Sequence, residues 1–289
     1  MKKELTIKAN VPSLVKWAGG KKQLLEQFKS LFPEEIGNYF EPFVGGGAVA
    51  FFTLKYYKPT RAVLSDINGE LVNLYNVVKN KPDELIETLK KLKKLHSEET
   101  YYKIRAEDPS LLCEVDMAGR FIYLNKTCFN GLYRVNSKGG FNVPSGKHTN
   151  PSVLMEEDLR EVSQLLKNTE INKADFEEVL KHAKKGDFIY FDPPYYPLNK
   201  ASFTKYAKGD FLEKEQERLL EVFKELDRRG CLVMLSNSDT DFIKNLYKDF
   251  NIHFVRASRM INSKGSDRGK INEIVVTNYG KKDEVSANI

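Results

Sequence analysis

The segment DFIYFDPPYYP, from Asp187 to Pro197, decides how the chain folds. Its apolar FIYF run predicts a buried β-strand, because strands covered on both faces read as continuous hydrophobic stretches. The prolines end that strand, since proline lacks a backbone N–H and restricts the residue before it. Asp192 is then either an ordinary turn residue or an acidic acceptor fixed beside a backbone carbonyl and an aromatic face. The second arrangement would suit a flat, amine-bearing substrate such as a nucleobase.

Further strand-like segments on both sides of this run predict the rest of a sheet. They are short and rich in β-branched or aromatic residues: NYFEPFV, RAVLSDIN, TEINKADF, CLVMLSN, IHFVRAS and EIVVTNY. Helical segments such as AVAFFTLKYY and EKEQERLLEVFKELDRR lie between some of them. This alternation predicts an α/β fold with a parallel sheet.

The region at 71–157 interrupts the alternation. Its first half, which includes KPDELIETLKKLKKLHSEETYYKIRAE, is charged and helical, and its second half contains the hairpin-like SKGGFNVPSG. We therefore expect an inserted, mainly helical subdomain at 71–157, within a larger domain formed by residues 1–70 and 158–289.

Composition narrows the class of protein. A chain of 289 residues with 41% hydrophobic content can bury a core without disulfide staples. Cys113, Cys128 and Cys231 are scattered and form no CxxC pair, so we expect neither a disulfide framework nor a metal site. The start of the chain lacks the apolar core of a signal peptide, and no stretch is apolar enough to span a bilayer. We expect a cytoplasmic protein that does not bind membranes.

Basic residues are concentrated in one stretch of the chain. The net charge is only +6, but no Asp or Glu occurs from Met117 to Met155. The basic residues of this stretch are Arg120, Lys126, Arg134, Lys138 and Lys147, and its aromatic residues include Tyr123, Phe129, Tyr133 and Phe141. Such a mixture suits contacts to phosphates and stacking on bases, although a solvated basic face would have the same composition.

Two glycine-containing segments suggest a ligand at the strand ends. PFVGGGAVAF, from Pro42 to Phe51, joins a strand to a helix, where glycines let the backbone approach a ligand. It does not match GxGxxG, so a dinucleotide is less favoured. The next strand ends on Asp66, which could accept hydrogen bonds from ribose hydroxyls or cap the following helix in competition with Asn68. VKWAGGKKQLL could close over a cofactor or simply pack Trp17 in the core.

Six blocks, in order, resemble the Dam-type N6-adenine DNA methyltransferases. They are KWAGGK, FEPFVGGGAV, LSDIN, NGLYRVN, FNVPSGK and FDPPY, and the resemblance runs from about Val15 to Tyr279. It implies a Rossmann-like S-adenosylmethionine-dependent methyltransferase sheet, with a DNA target-recognition subdomain at 71–157. It also implies a prokaryotic or phage enzyme that acts on double-stranded DNA within GATC, with a restriction endonuclease as a possible functional partner.

The same resemblance implies a set of residues around the cofactor. Trp17, Lys21, Asp66 and Asp192 would contact S-adenosylmethionine, and Asp175 with Phe176 would hold its adenine by hydrogen bond and stacking. Asp175 is also a plausible helix cap. The full set of cofactor-binding candidates is Lys16, Trp17, Gly20, Lys21, Glu41, Pro42, Phe43, Gly45, Gly47, Asp66, Asp175, Phe176 and Asp192.

The catalytic candidates are Asp192, Pro193, Pro194 and Tyr195. The exocyclic nitrogen of adenine is a poor nucleophile, because its lone pair is delocalised into the ring. We expect the Asp192 carboxylate and the Pro193 carbonyl to accept its two hydrogens while Tyr195 stacks on the ring, so that the methyl group passes directly to nitrogen. None of the cysteines lies in a comparable turn, which argues against methylation at cytosine C5.

A base inside a duplex must be flipped out to reach this motif. By the resemblance, Phe129 would fill the stack, Asn130 would contact the vacated partner base, and Arg134 would read a guanine. Relatives often carry tyrosine where this chain has Phe129. The full set of DNA-binding candidates is Arg120, Lys126, Phe129, Asn130, Arg134, Asn136, Lys138, Lys147 and His148.

Other functions remain open at this point. DPPY does not exclude N4 of cytosine or an RNA substrate, and a catalytically silent nucleic-acid-binding relative could keep the fold. The intact KWAGGK, Asp66 and DPPY argue against a silent relative. The basic segment at 256–270 predicts a solvated hairpin, with a DNA-facing loop as a lesser alternative.

Overall fold

The computed structural model describes residues 9–136, 139–198, 211–258 and 270–280. Within them, a single mixed sheet contains seven strands. In chain order they are β1 (Tyr39–Glu41), β2 (Ala62–Asp66), β3 (Thr169–Lys173), β4 (Phe188–Phe191), β5 (Leu232–Ser238), β6 (Asn251–Ser258) and β7 (Lys270–Thr277). Each strand falls on one of the segments predicted from the sequence.

The strand order is β3-β2-β1-β4-β5-β7-β6. The first five strands in this order pair in parallel, as predicted. The two remaining strands depart from the parallel arrangement, because β7 runs antiparallel to both β5 and β6. Strands β6 and β7 are consecutive in the chain and pair as a hairpin, which needs no crossover helix. The hairpin predicted at 256–270 is confirmed at its two strands, and its residues 259–269 lie outside the described residues.

The central strand β4 explains the position of the sheet in the core. All four of its residues are buried. Phe188 and Tyr190 belong to the hydrophobic cluster on one face of the sheet, and Ile189 and Phe191 belong to the cluster on the other face. Burying such side chains contributes about 1.5–3 kcal/mol each. The sheet is therefore covered on both faces, as the apolar FIYF run predicts.

Helices cover the sheet and form the insert. In the described ranges they are α1 (Leu25–Phe28), α2 (Ala48–Tyr56), α3 (Gly69–Asn80), α4 (Pro82–Lys94), α5 (Glu98–Ala106), α6 (Glu114–Thr127), α7 (Glu156–Leu166), α8 (Glu213–Arg228) and α9 (Asp241–Leu246). Short 3₁₀ turns lie at Lys21–Leu24, Pro109–Leu111, Phe129–Gly131 and Phe176–Lys181. No helix in the described ranges is long and apolar enough to cross a membrane.

The insert packs on the sheet domain without a separate core. Helix α6 packs on α3 and α4, and α3 also packs on α7. Tyr75 of α3, Tyr101 of α5 and Tyr123 of α6 are fully buried in the same hydrophobic cluster. After α6 the chain forms the predicted hairpin-like turn, with antiparallel bridges between Val135 and Phe141 and between Cys128 and Ser145. Residues 71–157 and the sheet therefore share one hydrophobic cluster.

Candidate active site

Three carboxylates meet at the carboxyl edge of the parallel strands. Glu41 is the last residue of β1, Asp66 is the last residue of β2, and Asp192 follows β4. Strand β1 lies between β2 and β4, so these strand ends are neighbours. In open α/β sheets this edge is where ligands bind.

Asp192 lies in a mostly buried, charged environment. Its Oδ1 atom is 2.8 Å from Lys21 Nζ, with 21% of the Asp192 side chain exposed and 3% of that of Lys21. The Lys21 ammonium therefore forms an ion pair with this oxygen. Burial raises the pKa of Asp192 to about 6, while the charge of Lys21 lowers it and that of Glu273 raises it. The strand end thus carries a carboxylate that is ion-paired with Lys21 and remains partly exposed.

Tyr195 and Lys21 lie against each other. The Lys21 Nζ atom is 4.7 Å from the centroid of the Tyr195 ring, and Lys21 also donates a hydrogen bond to the Gly19 carbonyl. The Tyr195 hydroxyl donates a 2.7 Å hydrogen bond to Glu273 on β7. Lys21 therefore touches the DPPY motif itself, at both Asp192 and Tyr195.

The backbone of the DPPY turn is held by polar side chains. Gln216 of α8 donates a 3.0 Å hydrogen bond to the Pro194 carbonyl. Asn237 accepts from the Tyr196 backbone N–H at 3.2 Å, and Ser238 donates to the Tyr196 carbonyl at 2.7 Å. Asn237 also donates to Gln216 at 3.0 Å, so the side chains from α8 and β5 that hold the turn form one hydrogen-bonded network. Sequence reasoning did not predict this network.

The PFVGGG turn is shaped by close contacts that only glycine allows. A Cβ atom at Gly45 would lie 2.9 Å from Trp17 Nε1, and one at Gly46 would lie 3.0 Å from Trp17 Cβ. Gly47 has a φ of +73°, and a Cβ there would lie 2.6 Å from Phe51 Cζ. The Trp17 indole therefore lies directly on the turn. A bare glycine backbone below an indole and beside carboxylates fits a nucleoside cofactor with a cationic centre.

Asp66 braces this turn, and its neighbour caps the next helix. The Asp66 carboxylate accepts from the Gly45 N–H at 3.1 Å and from the Asn68 N–H at 2.9 Å. Asn68 caps α3 by accepting from Glu70 and Leu71. The competition between Asp66 and Asn68 for the cap is thus resolved in favour of Asn68. Burial raises the pKa of Asp66. The next side chain, Ile67, is 74% exposed at this edge and was not singled out from the sequence.

Glu41 is almost completely buried. It is 2% exposed and accepts a hydrogen bond from the Tyr39 hydroxyl. Burial raises the pKa of Glu41 well above its usual value, and the charges of Asp192 and Asp66 raise it further. Glu41 therefore places a third carboxyl group, either charged or protonated, behind the carboxylates of Asp66 and Asp192.

Asp175 and Phe176 have defined structural partners. Asp175 caps the 3₁₀ turn by accepting from the Glu177 N–H at 3.0 Å, and it forms an ion pair with Arg218. The Phe176 ring is 3% exposed, with the Phe43 ring stacked at 5.5 Å and the Arg218 guanidinium 4.1 Å from its centroid. The expected open face for the cofactor's adenine is therefore not found on Phe176, because packing covers the ring.

A cavity of about 300 Å³ lies beside these residues and not at DPPY. Asp175 and Pro42 line it, together with Phe40, Val63 and Ser65 from one face of the sheet. Asp175 can thus still reach a ligand, whereas the DPPY residues do not line this cavity.

Asn125 joins the KWAGGK segment to the insert. Its Oδ1 atom accepts from the Lys16 N–H at 2.7 Å, and its amide donates to the Lys16 carbonyl at 2.8 Å and to the Gly131 carbonyl at 3.3 Å. The Trp17 ring also lies 5.4 Å from the ring of Tyr133. Gly20 closes the segment by donating to the Trp17 carbonyl at 3.1 Å. These contacts bring the proposed cofactor segment against the proposed recognition segment, which the sequence did not predict.

Several DNA-binding candidates are exposed near this junction. Phe129 is 51% exposed, and Asn130 and Lys147 are exposed with φ values of +55° and +53°. Arg134 is exposed and donates to Asn142 at 2.7 Å. The Asn136 side chain accepts from the Gly140 N–H at 3.0 Å. Lys138 lies outside the described residues.

Three other candidates occupy less accessible positions. The prediction that Arg120 binds DNA is wrong, because the side chain is 3% exposed, pairs with Glu70 at 3.1 Å and donates to the Ile104 carbonyl at 3.1 Å. Lys126 is half-buried, and burial lowers its pKa to about 8. The Nε2 atom of His148 is buried and has no hydrogen-bond partner among the described residues. Composition alone could not separate these side chains from the exposed ones.

Comparisons with known proteins identify the family of the chain. Residues 17–261 match the family model of the D12 class N6 adenine-specific DNA methyltransferase. The type II methyltransferase M1.LlaDCHI of Lactococcus lactis subsp. cremoris is 46% identical over 280 residues, covering 94% of this chain and 97% of the relative. The type II methyltransferase M.MjaIII of Methanocaldococcus jannaschii is 48% identical over 287 residues, covering 93% and 99%. The DNA adenine methylase of Escherichia coli (strain K12) is 34% identical over 267 residues, covering 91% and 94%.

The family match covers the site residues at Trp17, Lys21, Asp66 and Asp192. It favours adenine over cytosine, and an active enzyme over a silent binding protein. The chain therefore belongs to the D12 class of N6 adenine-specific DNA methyltransferases, which use S-adenosylmethionine as the methyl donor.

Proposed function

We propose that the protein methylates N6 of adenine within GATC in duplex DNA, with Asp192, Pro193, Pro194 and Tyr195 as its catalytic motif. The observation that carries this proposal is the Asp192 carboxylate. It lies at the carboxyl edge of the sheet, partly exposed and ion-paired at 2.8 Å with Lys21, whose ammonium also lies against the Tyr195 ring. The choice of GATC rests on the resemblance of the sequence blocks to Dam-type enzymes.

In the proposed mechanism, the protein orients a flipped adenine. The Asp192 carboxylate and the Pro193 carbonyl accept the two hydrogens of N6, which favours a more tetrahedral nitrogen with an available lone pair. The cofactor supplies an electrophilic methyl group. As N6 gains the methyl group, one of its protons passes to Asp192, which then releases it to solvent through its exposed fraction. No covalent bond to the protein is needed.

Lys21 occupies the face of Tyr195 where the adenine would stack. Its Nζ atom is 4.7 Å from the ring centroid and 2.8 Å from Asp192 Oδ1. The entering base must therefore displace the ammonium from the ring, while the charge can remain close to the carboxylate. Residues Gln216, Asn237 and Ser238 keep the turn in place during this exchange, because they bind its backbone.

The glycine turn and the strand ends would hold S-adenosylmethionine. The indole of Trp17 and the acidic groups Glu41 and Asp66 surround the turn, and carboxylates suit a ligand with a sulfonium, an ammonium and ribose hydroxyls. Exposed Ile67 offers an apolar surface for the cofactor's adenine in place of the covered ring of Phe176. Asp175 can still accept a hydrogen bond from that adenine.

The recognition role falls on the exposed turn after α6. Phe129 would fill the space left by the flipped base, Asn130 would contact its partner, and Arg134 would read a guanine through its bidentate fork. Lys147 would contact phosphates. All the described strands lie outside residues 71–157, which supports a catalytic domain of 1–70 and 158–289 with a target-recognition insert. We further propose a cytoplasmic protein, and a functional pairing with a restriction endonuclease because two relatives are named type II methyltransferases.

The proposal is tested by incubating unmethylated duplexes with the protein and labelled S-adenosylmethionine, followed by digestion and mass spectrometry of the nucleosides. We expect N6-methyladenine in a duplex with one GATC and none in a matched duplex with GTAC. Asp192→Asn, which keeps the shape and loses the charge, should abolish the product. N4-methylcytosine would overturn the target atom, and equal labelling of both duplexes would overturn GATC.

A further inference from the structure

Glu273 lies on β7, far from the known motif blocks in sequence, yet it reaches the catalytic turn. Its Oε2 atom accepts a 2.7 Å hydrogen bond from the Tyr195 hydroxyl, across 78 residues of sequence. Strand β7 pairs with β5, and Glu273 lies opposite Ser238, which itself holds the turn. The carboxylate is therefore placed by the sheet and not by a loose surface loop.

The turn has separate supports for its backbone and for its aromatic ring. Three side chains bind the turn through backbone atoms of Pro194 and Tyr196 and not through its side chains: Gln216, Asn237 and Ser238. The hydroxyl of Tyr195 is bound by Glu273. A ring on a fixed backbone can still rotate about its side-chain torsions, so the hydrogen bond to Glu273 restricts the direction of the ring face.

The charge of Glu273 also acts on this face. A phenol that donates a hydrogen bond to a carboxylate has a more electron-rich ring, and such a face attracts cations. The Lys21 ammonium already lies 4.7 Å from the centroid of this ring. The adenine that replaces it gains positive charge as its N6 takes the methyl group, so the same face would stabilise the transition state more than the neutral base.

We propose that Glu273 is a positioning residue for methyl transfer, which fixes the Tyr195 ring and makes its face more negative toward the adenine. The inference rests on the proposed function, since it requires Tyr195 to stack on the target base. Glu273 itself touches neither base nor cofactor in this scheme. Its positioning effect must therefore pass through Tyr195. Because its charge also raises the pKa of Asp192, kcat is compared at a pH well above the Asp192 pKa of about 6.

The test combines Glu273→Ala, Glu273→Gln, Tyr195→Phe and the double variant Glu273→Ala with Tyr195→Phe. A matched control is Glu213→Ala, because Glu213 accepts a 2.9 Å hydrogen bond from the hydroxyl of the neighbouring Tyr196. We expect Glu273→Ala to lower kcat by about tenfold or more, in the range for hydrogen bonds to charged groups, with little change in KM for DNA. Glu273→Gln, which can still accept the hydrogen bond, should restore part of kcat. Glu213→Ala should leave kcat unchanged.

The double variant separates positioning from a general structural effect. If Glu273 acts through Tyr195, the double variant should be no slower than Tyr195→Phe alone. The inference is overturned if the falls in kcat of Glu273→Ala and Tyr195→Phe multiply independently in the double variant. It is also overturned if the kcat of Glu273→Ala is within twofold of that of Glu213→Ala. Should Glu273→Ala fail to fold, Glu273→Gln and Tyr195→Phe carry the same cycle.

A second readout does not depend on turnover. With 2-aminopurine at the target position of the duplex, a base stacked on a fixed ring has a short fluorescence lifetime. We expect this short component in the wild-type complex and in Glu213→Ala, and its loss in Glu273→Ala. An unchanged lifetime in Glu273→Ala would contradict the positioning role. If the wild-type protein makes no N6-methyladenine, the proposed function fails instead, and the two failures are distinguishable.

Discussion

Asn125 provides a sharp test of how the KWAGGK segment is held. The side chain is 1% exposed and forms three hydrogen bonds to backbone groups, two with Lys16 and one with Gly131. Asn125→Ala removes all of them and leaves two carbonyls and one N–H without these partners. The bond to Gly131 is buried, whereas the two to Lys16 are partly accessible to water.

The size of the effect follows from the cost of unsatisfied polar groups. Each buried group left without a partner costs about 1–3 kcal/mol, and water can compensate part of the cost at Lys16. We therefore expect Asn125→Ala to lower the free energy of unfolding by roughly 2–4 kcal/mol, which corresponds to a fall in Tm of about 5–10 °C. Asn125→Asp should be at least as harmful, because a carboxylate oxygen would then face the carbonyls of Lys16 and Gly131.

Urea unfolding and calorimetric titration of the cofactor measure the two consequences. Asn73→Ala is the control, because Asn73 makes one exposed 2.8 Å hydrogen bond to the Glu114 carbonyl, and its loss should cost less than about 1 kcal/mol. The cofactor affinity of Asn125→Ala should fall as well, since Lys16 adjoins Trp17. A stability for Asn125→Ala within about 0.5 kcal/mol of the wild type would refute the reasoning, because such a value is that of an ordinary surface change.

Three further predictions follow from the site. Burial raises the pKa of Asp192 to about 6, and a carboxyl is ionised only above its pKa. The value of kcat/KM should thus decline below about pH 6, and a flat profile down to about pH 5 would argue against Asp192 as the acceptor. Arg120→Ala should lower the free energy of unfolding in urea by about 3–5 kcal/mol, because it leaves the partly buried carboxylate of Glu70 unpaired. Arg134→Ala should keep this stability and lose roughly 1–3 kcal/mol of sequence discrimination in binding competition. Gly47→Ala should weaken cofactor binding in calorimetry through its clash with the helix behind it, and Gly139→Ala, with a similar φ of +81° and no atom within 4 Å of the added Cβ, should not.

The sequence predicts the sheet well because the strands carry a strong local signal. Runs such as FIYF in β4 are buried on both faces, so burial and strand length can be read without tertiary information. The predicted hairpin at 256–270 makes β6 and β7 antiparallel. The insertion of β7 between β5 and β6 cannot be predicted in the same way, because the pairing of β7 with β5 is a long-range contact with no local signal.

Individual site residues are predicted less evenly, because a side chain's role depends on what packs against it. Arg120 lies in the acid-free basic stretch, so the sequence predicts a DNA contact. The structure instead buries it in an ion pair with Glu70, 50 residues earlier in the chain. Asn125 and Glu273 have no motif signal, since their contacts with Lys16 and Tyr195 join residues far apart in the chain. The position of Asp192 could be predicted from the sequence, because the strand before it and the two prolines after it fix its place locally.

Trp17 connects the parts of the site that the sequence keeps far apart. One side of its indole lies on Gly45 and Gly46, where any larger side chain would collide with it. Its ring also contacts Tyr133, which precedes the proposed reader Arg134. A ligand that shifts the indole must therefore disturb the packing of Tyr133. The turn proposed to hold the cofactor and the segment proposed to recognise DNA are thus joined by direct side-chain contact. We therefore expect a change at Trp17 to alter the binding of both cofactor and DNA, and a change at Lys147 to alter the binding of DNA alone.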